Sequence, residues 1–158
     1  MLTEISIAIA IVFVCLLLHV TGIMLIAEWM VRHQHYFDGP GARIHFSIMM
    51  VILYSGIVLL HIVETTLWAT FYYSSALFQD FETALYFSFV SYTTIGYGDV
   101  LLPHKWRLLG ALEGMSGVLL CGLSTAFIFA TIYAMFKSRI RSQAQWHSKL
   151  ELTRHCKK

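Results

Sequence analysis

Three features predict an all-α membrane protein: three long apolar stretches, one further helical stretch too short to cross a bilayer, and charges gathered almost entirely outside them. Of the 158 residues, 58% are apolar and 13% charged, whereas soluble domains run at roughly 45–50% and about 25%. The long stretches cover residues 5–30, 46–73 and 108–136, and each exceeds the ~20 residues that a hydrocarbon core requires.

The first stretch follows Met1-Leu2-Thr3-Glu4, which has no basic residue. Its apolar run is longer than the ~7–15 residues of a signal peptide, so it reads as a membrane helix and not a cleaved leader. It is apolar nearly all round, as suits a peripheral helix facing lipid. Glu28 beside Trp29 fits the interfacial belt, and His19 reads as a packed or hydrogen-bonded helix residue. The loop 32–45 carries His33, His35 and His45 around the turn signal Asp38-Gly39-Pro40-Gly41. No cysteine or acidic pair completes a ligand set there, which favours a solvated loop over a metal site. Cys15 and Cys121 fall inside the apolar stretches and Cys156 near the C-terminus, so no disulfide framework follows.

Arg32 and Arg43 flank the first loop, seven Lys or Arg residues from Lys137 to Lys158 follow the last stretch, and Lys105 and Arg107 stand apart. The positive-inside rule then predicts a cytoplasmic loop and C-terminus, with the N-terminus and the segment around Lys105 outside. The basic, mildly amphipathic tail 137–158 is expected to lie against anionic lipid.

The second stretch ends in Trp68, Phe71, Tyr72 and Tyr73, an interfacial aromatic cluster. Beyond Ser74-Ser75, Asp80 is a candidate N-cap and Glu82 lies in the first turn of a helix running to Tyr92. A helix of about twelve residues reaches only roughly 18 Å, so it must re-enter the membrane and return through the run Thr93-Thr94-Ile95-Gly96-Tyr97-Gly98-Asp99. Successive carbonyls in such a run can face one axis only where some residues take φ above zero, which Gly96 and Gly98 allow. Non-helical backbone at that depth is tolerable where it is buried in protein or lines a pore. Pro103 ends the segment, Trp106 sits at the interface, and the last stretch carries Gly110, Gly114, Gly117 and Gly122. Gly110 and Gly114 suit close helix packing. Gly117 is read as a place to bend, because glycine costs up to about 1 kcal/mol in a helix relative to alanine.

The run from Thr93 to Asp99 resembles the selectivity filter of potassium channels, and Gly117-Val118-Leu119-Leu120-Cys121-Gly122-Leu123-Ser124-Thr125 is similar to the inner helix of the two-helix members of that family. The resemblance covers about residues 85–126. It implies that Thr94, Ile95, Gly96 and Tyr97 present carbonyls to K+, with Gly98 completing the filter and Thr93, Asp99 and Tyr86 supporting it. It implies a cavity and gate built from Gly117, Val118, Cys121, Gly122 and Thr125, of which Val118, Cys121 and Thr125 share one helix face. Four copies are needed to close a ring of carbonyls, so a homotetramer in a lipid bilayer is expected, in a cell membrane such as a bacterial inner membrane. The implied organisation is an N-terminal transmembrane helix (1–31), a cytoplasmic loop (32–45), a pore domain of outer helix, re-entrant pore helix, filter and inner helix (46–136), and the basic cytoplasmic tail (137–158). In some bacterial relatives a carboxylate stands four residues before the position of Thr94, where this chain has Val90; Asp99 then needs another donor, and Tyr86 is the candidate.

Passive, potassium-selective permeation is the function this implies, with K+ as the permeant ion and no cofactor. A non-selective cation channel would call for altered filter residues, a potassium transporter for several filter-like hairpins, and a subunit that conducts only with a partner remains open. No row of arginines suggests voltage sensing. No motif joins a nucleophile, base and orienting group, so no enzyme is expected, and no nucleic-acid partner is expected either. Finally, His61, Glu64 and Glu113 lie at membrane depth, where ionisable groups are costly and find partners. They are expected to form one hydrogen-bonded cluster joining outer and inner helices behind the filter.

Overall fold

The computed structural model describes residues 2–33 and 42–155, and among them all regular structure is helical. The helices are α1 (Leu2–Arg32), α2 (Ala42–Ser74), α3 (Phe81–Tyr92) and α4 (Arg107–His155), the last entered through a 3-10 turn at His104–Trp106. Within them Thr3–Arg32, Ile44–Ser74 and His104–Lys137 are long and apolar enough to span a membrane, which is the predicted all-α membrane fold with three crossings and one short helix. The helices overrun the apolar stretches by a few residues. Thus α2 starts at Ala42 and takes His45 out of the loop expected over 32–45. Residues 34–41, with His35, lie outside the described residues, as do the side chains on which the lipid contact of the tail would rest. Two compact units are present, one ending at Ser124 and one starting at Thr125; the site belongs to the first.

A narrow stripe of α1 (Ala8, Cys15, His19, Met30) is buried. Its close approach to α2 rests on glycines on both sides. A Cβ added to Gly22 would stand 2.4 Å from Leu60, and one added to Gly56 3.0 Å from Ile26. The other faces of α1 expose Ile9, Phe13, Leu17 and Met24, as a lipid-facing surface should.

Near the end of α2, Trp68 and Tyr72 are fully buried. The Tyr72 ring meets Phe87 of α3 edge-on at 5.4 Å, and Phe78 lies 5.2 Å from Phe87, separations at which aromatic pairs attract. This core holds α3 against α2. Along α4, Gly110, Gly114 and Gly117 face α3: an added Cβ would meet Phe87 at 3.1 Å, the Ser91 carbonyl oxygen at 2.9 Å and the Tyr92 carbonyl oxygen at 2.1 Å. The approach tightens toward the end of α3. Gly117, expected to bend α4, is therefore the glycine on which the packing depends most. At the other end of α1, the buried Glu4 lies 3.4 Å from Lys105, just ahead of α4.

Candidate functional site

The Thr93–Asp99 run is placed by the two ends of α3. At the start, the Asp80 carboxylate accepts from the Thr83 amide at 2.7 Å and from the Thr83 hydroxyl at 2.9 Å, as an N-cap should. The Thr83 amide, then its hydroxyl, hold the Asp80 carboxyl below its ordinary range.

At the far end, the amide of Thr94 donates to the Ser91 carbonyl at 2.9 Å and that of Ile95 to the Val90 carbonyl at 3.0 Å. Paired 5→2 and 6→1 bonds of this kind define a Schellman cap. The residue at its left-handed position is normally glycine; here it is Thr94, at φ +59°. A β-branched residue in that region costs on the order of 1–3 kcal/mol, so backbone strain is stored at the first residue of the candidate filter. The Gly96 amide also turns back, to Val90 at 3.2 Å.

Gly96 and Gly98 follow at φ +59° and +79°, the positions that the sequence marks for positive φ. Left-handed residues therefore alternate at 94, 96 and 98. In an extended chain successive carbonyls point to opposite sides, and reversing φ at every second residue brings them to one side. Among the described residues, no group donates to the carbonyls of Thr94, Ile95, Gly96 or Tyr97. Four backbone oxygens are thus left for a cation while three of the amides are spent on the helix behind them. Ile95 and Tyr97 are 55% and 68% exposed in the single chain.

Beyond Gly98 the chain is held by Asp99. Its carboxylate accepts from the Tyr86 hydroxyl at 2.7 Å and from the Val100 amide at 3.0 Å. Tyr86 is the donor that the sequence names once Val90 is seen to be apolar. The Tyr86 bond is the main reason the Asp99 carboxyl lies below its ordinary range, and it pushes the Tyr86 phenol up.

His61, Glu64 and Glu113 sort into two networks, not the single cluster expected. Glu113, fully buried on α4, accepts from the Tyr72 hydroxyl at 2.8 Å and is hydrogen-bonded to Ser88 of α3. Ser88 also reaches the Thr65 carbonyl at 2.8 Å. One hydroxyl proton cannot serve two acceptors, and the set balances when Glu113 carries a proton and donates to Ser88. Glu64 instead accepts from His19 Nδ1 at 2.8 Å and from the Tyr92 hydroxyl at 2.5 Å. Among the described residues no hydrogen bond joins Glu64 to Glu113. His61 Nδ1 donates to the Tyr92 hydroxyl at 2.9 Å, and Ser124 Oγ lies 3.1 Å from His61 Nε2 and 3.0 Å from His19 Nε2. Sequence reasoning put His61 and Glu64 at membrane depth and read His19 as a packed or hydrogen-bonded residue, as it is, but did not join His19 to Glu64 and missed Tyr92 and Ser124.

His19, His61 and Glu64 offer ligand atoms within 4.8 Å of one another, a spacing a metal could draw together, yet every one of those atoms already has a hydrogen-bond partner. On α4, Val118, Cys121 and Gly122 are exposed, a Cβ at Gly122 would meet nothing within 4 Å, and Thr125 is exposed as well. The residues assigned to a cavity thus lie where the chain itself provides no cover.

Comparison with known families matches residues 48–134 to the model described as ion channel. No match was found among curated proteins or among solved structures. The matched region takes in α2 from residue 48 onward, α3, the Thr93–Asp99 run and the first part of α4, more than half of the chain. It leaves α1 ahead of it. On these grounds the chain belongs to the two-transmembrane ion channel family, with an additional N-terminal helix.

Proposed function

We propose that the protein conducts K+ passively and selectively through a homotetrameric pore in a cell membrane. The observation that carries this reading is the backbone of residues 94–98: φ alternates in sign, and the four carbonyls of Thr94, Ile95, Gly96 and Tyr97 have no hydrogen-bond donor among the described residues. Carbonyl dipoles replace the hydration shell of K+ without the grip of a full charge. The C-terminal end of α3 adds its partial negative charge near the ion path. Four chains around one axis complete the oxygen shell and bury Ile95 and Tyr97 against neighbours, which accounts for two large apolar side chains standing exposed in one chain. Val118, Cys121 and Gly122 then line the path beneath the filter. In this arrangement α1 begins outside and the tail lies in the cytoplasm, in line with the distribution of Lys and Arg.

The test is reconstitution of the purified protein alone in liposomes, with reversal potentials measured under K+ and Na+ gradients. A reversal potential that follows the K+ gradient supports the reading. Equal permeability to Na+ and K+ overturns the selectivity, and absence of flux from the tetramer overturns autonomous conduction.

A further inference from the structure

Glu64 and four other polar groups form a closed circuit: His19–Glu64–Tyr92–His61–Ser124–His19. All four helices contribute, and Tyr92 stands two residues before Thr94. Closure imposes a count. Five hydrogen bonds need five protons, and with Glu64 ionised and both imidazoles neutral only four are available: one each from His19, Tyr92, His61 and Ser124. Two bonds to Glu64 are then made by His19 and Tyr92, and His61 Nδ1 serves Tyr92. Both Nε2 atoms are left as acceptors facing Ser124, which has one proton to give. The fifth bond becomes two lone pairs in contact, and the buried site carries a net negative charge, the costly state in low dielectric.

We propose that this circuit is a one-proton binding site, whose occupancy locks α1 and α4 onto the last residue of α3. The proton is shared by the two imidazoles: one Nε2–H donates to Ser124, Ser124 donates to the other Nε2, and all five bonds form with a net charge of zero. Among the described residues, the remaining titratable groups facing the site are the thiols of Cys15 on α1 and Cys121 on α4, the latter with Sγ 4.0 Å from His61 Nε2, at the limit of a sulfur hydrogen bond. Among the described residues no lysine or arginine is paired with Glu64. A divalent metal on His19, His61 and Glu64 would leave the same buried site with a net positive charge, whereas the proton leaves it neutral. Losing the proton breaks the circuit at Ser124, so α4 is the element released, and the hold on Tyr92 weakens with it. This makes the extra N-terminal helix part of a proton-responsive clasp on the residue that leads into the filter.

The count predicts how variants behave. Glu64→Gln supplies its own proton from the amide, so five bonds close with no added proton. Ser124→Ala opens the circuit into a chain of three bonds with three protons, and again none is added. Tyr92→Phe keeps it closed through the direct 3.2 Å contact of His61 Nδ1 with Glu64, and so still demands one. The experiment uses the full-length protein in detergent micelles at pH 7.5, where a free imidazole is roughly nine-tenths deprotonated. Proton release on denaturation is measured by calorimetry in two buffers of different ionisation enthalpy. Wild type and Tyr92→Phe are expected to release about one proton per chain more than Glu64→Gln and Ser124→Ala, and by linkage their unfolding constants should depend on pH more steeply than those of the other two variants. Equal release from wild type and Glu64→Gln overturns the proposal, as does a release from Tyr92→Phe that matches Ser124→Ala. Stoichiometric zinc in the purified protein overturns it in favour of a metal. No current is measured, so the result stands apart from the question of K+ selectivity.

Discussion

Gly117→Ala separates packing from bending in α4. The added Cβ would stand 2.1 Å from the Tyr92 carbonyl oxygen and 3.0 Å from its carbon. An ordinary carbon–oxygen contact is longer by more than 1 Å, and the obstacle is backbone, which cannot rotate aside. Overpacking of this kind costs about 1–3 kcal/mol. Alanine recovers up to about 1 kcal/mol of helix propensity, so a net loss of up to about 2 kcal/mol per chain is expected, a factor of up to roughly thirty in the unfolding constant. Gly122→Ala is the matched control, because its Cβ meets nothing within 4 Å and only the propensity gain remains. Thermal melting in micelles should place Gly117→Ala below wild type and Gly122→Ala at or above it. Since the displaced carbonyl belongs to Tyr92, Gly117→Ala should also disturb ion selectivity. The reasoning is refuted if Gly117→Ala melts like wild type and changes only the open probability, which is the signature of a bend.

Gly98→Ala puts a side chain at φ +79°, a region that costs roughly 1–2 kcal/mol for an L-residue, and should lower K+ over Na+ selectivity in reversal-potential measurements. Thr94→Gly relieves the strained cap position and should stabilise the chain by up to about 1 kcal/mol, read as a higher melting temperature. Tyr86→Phe removes the bond that depresses the Asp99 carboxyl. A depressed acid contributes its stability above the unfolded value, near 3.8 here, and loses it as pH falls through the folded value, so the Asp99 contribution in wild type should be constant between pH 5 and 8 and Tyr86→Phe should lose the filter's outer anchor at higher pH than wild type in acid titrations. Glu113→Gln can still donate to Ser88 and accept from Tyr72, and should cost less than about 1 kcal/mol, whereas Glu113→Ala strands both and should cost about 1–3 kcal/mol. Combined with Glu64→Gln it should be additive within about 0.5 kcal/mol, because the two carboxyls sit in separate networks; a larger coupling in melting experiments would restore the single cluster.

What could be read from the sequence follows from which properties are local. Apolar length sets the three spans, the cap residue Asp80 sets the start of α3, and Gly96 and Gly98 announce positive φ because few other residues tolerate it. Thr94 was hidden for the complementary reason. Nothing in a threonine announces φ +59°; that angle is imposed by the two amides which fold back onto Val90 and Ser91. Depth along a helix was legible too, since rise per residue is constant, and Glu64 and Glu113 do lie at the level of α3, bonded to Tyr92 and Ser88.

Direction around the helix was not, because azimuth depends on which neighbour packs where, and a family pattern of two helices gives no place to a third. That is why α1, read as an apolar helix facing lipid, gave no hint that His19 would enter the same network as Tyr92. A neutral apolar residue at position 19 would leave Glu64 with its bond from Tyr92, and Tyr92 with its bond from His61, and no need for a fifth proton. With histidine there, and Ser124 beneath it, the network closes on itself. Closure changes its chemistry: an open chain of these groups is satisfied as an anion, while the closed one is satisfied only with one proton more. The helix outside the family match is therefore the element that turns a buried carboxylate into a site able to respond to pH, and removing His19, with the channel helices left as they are, should abolish that response.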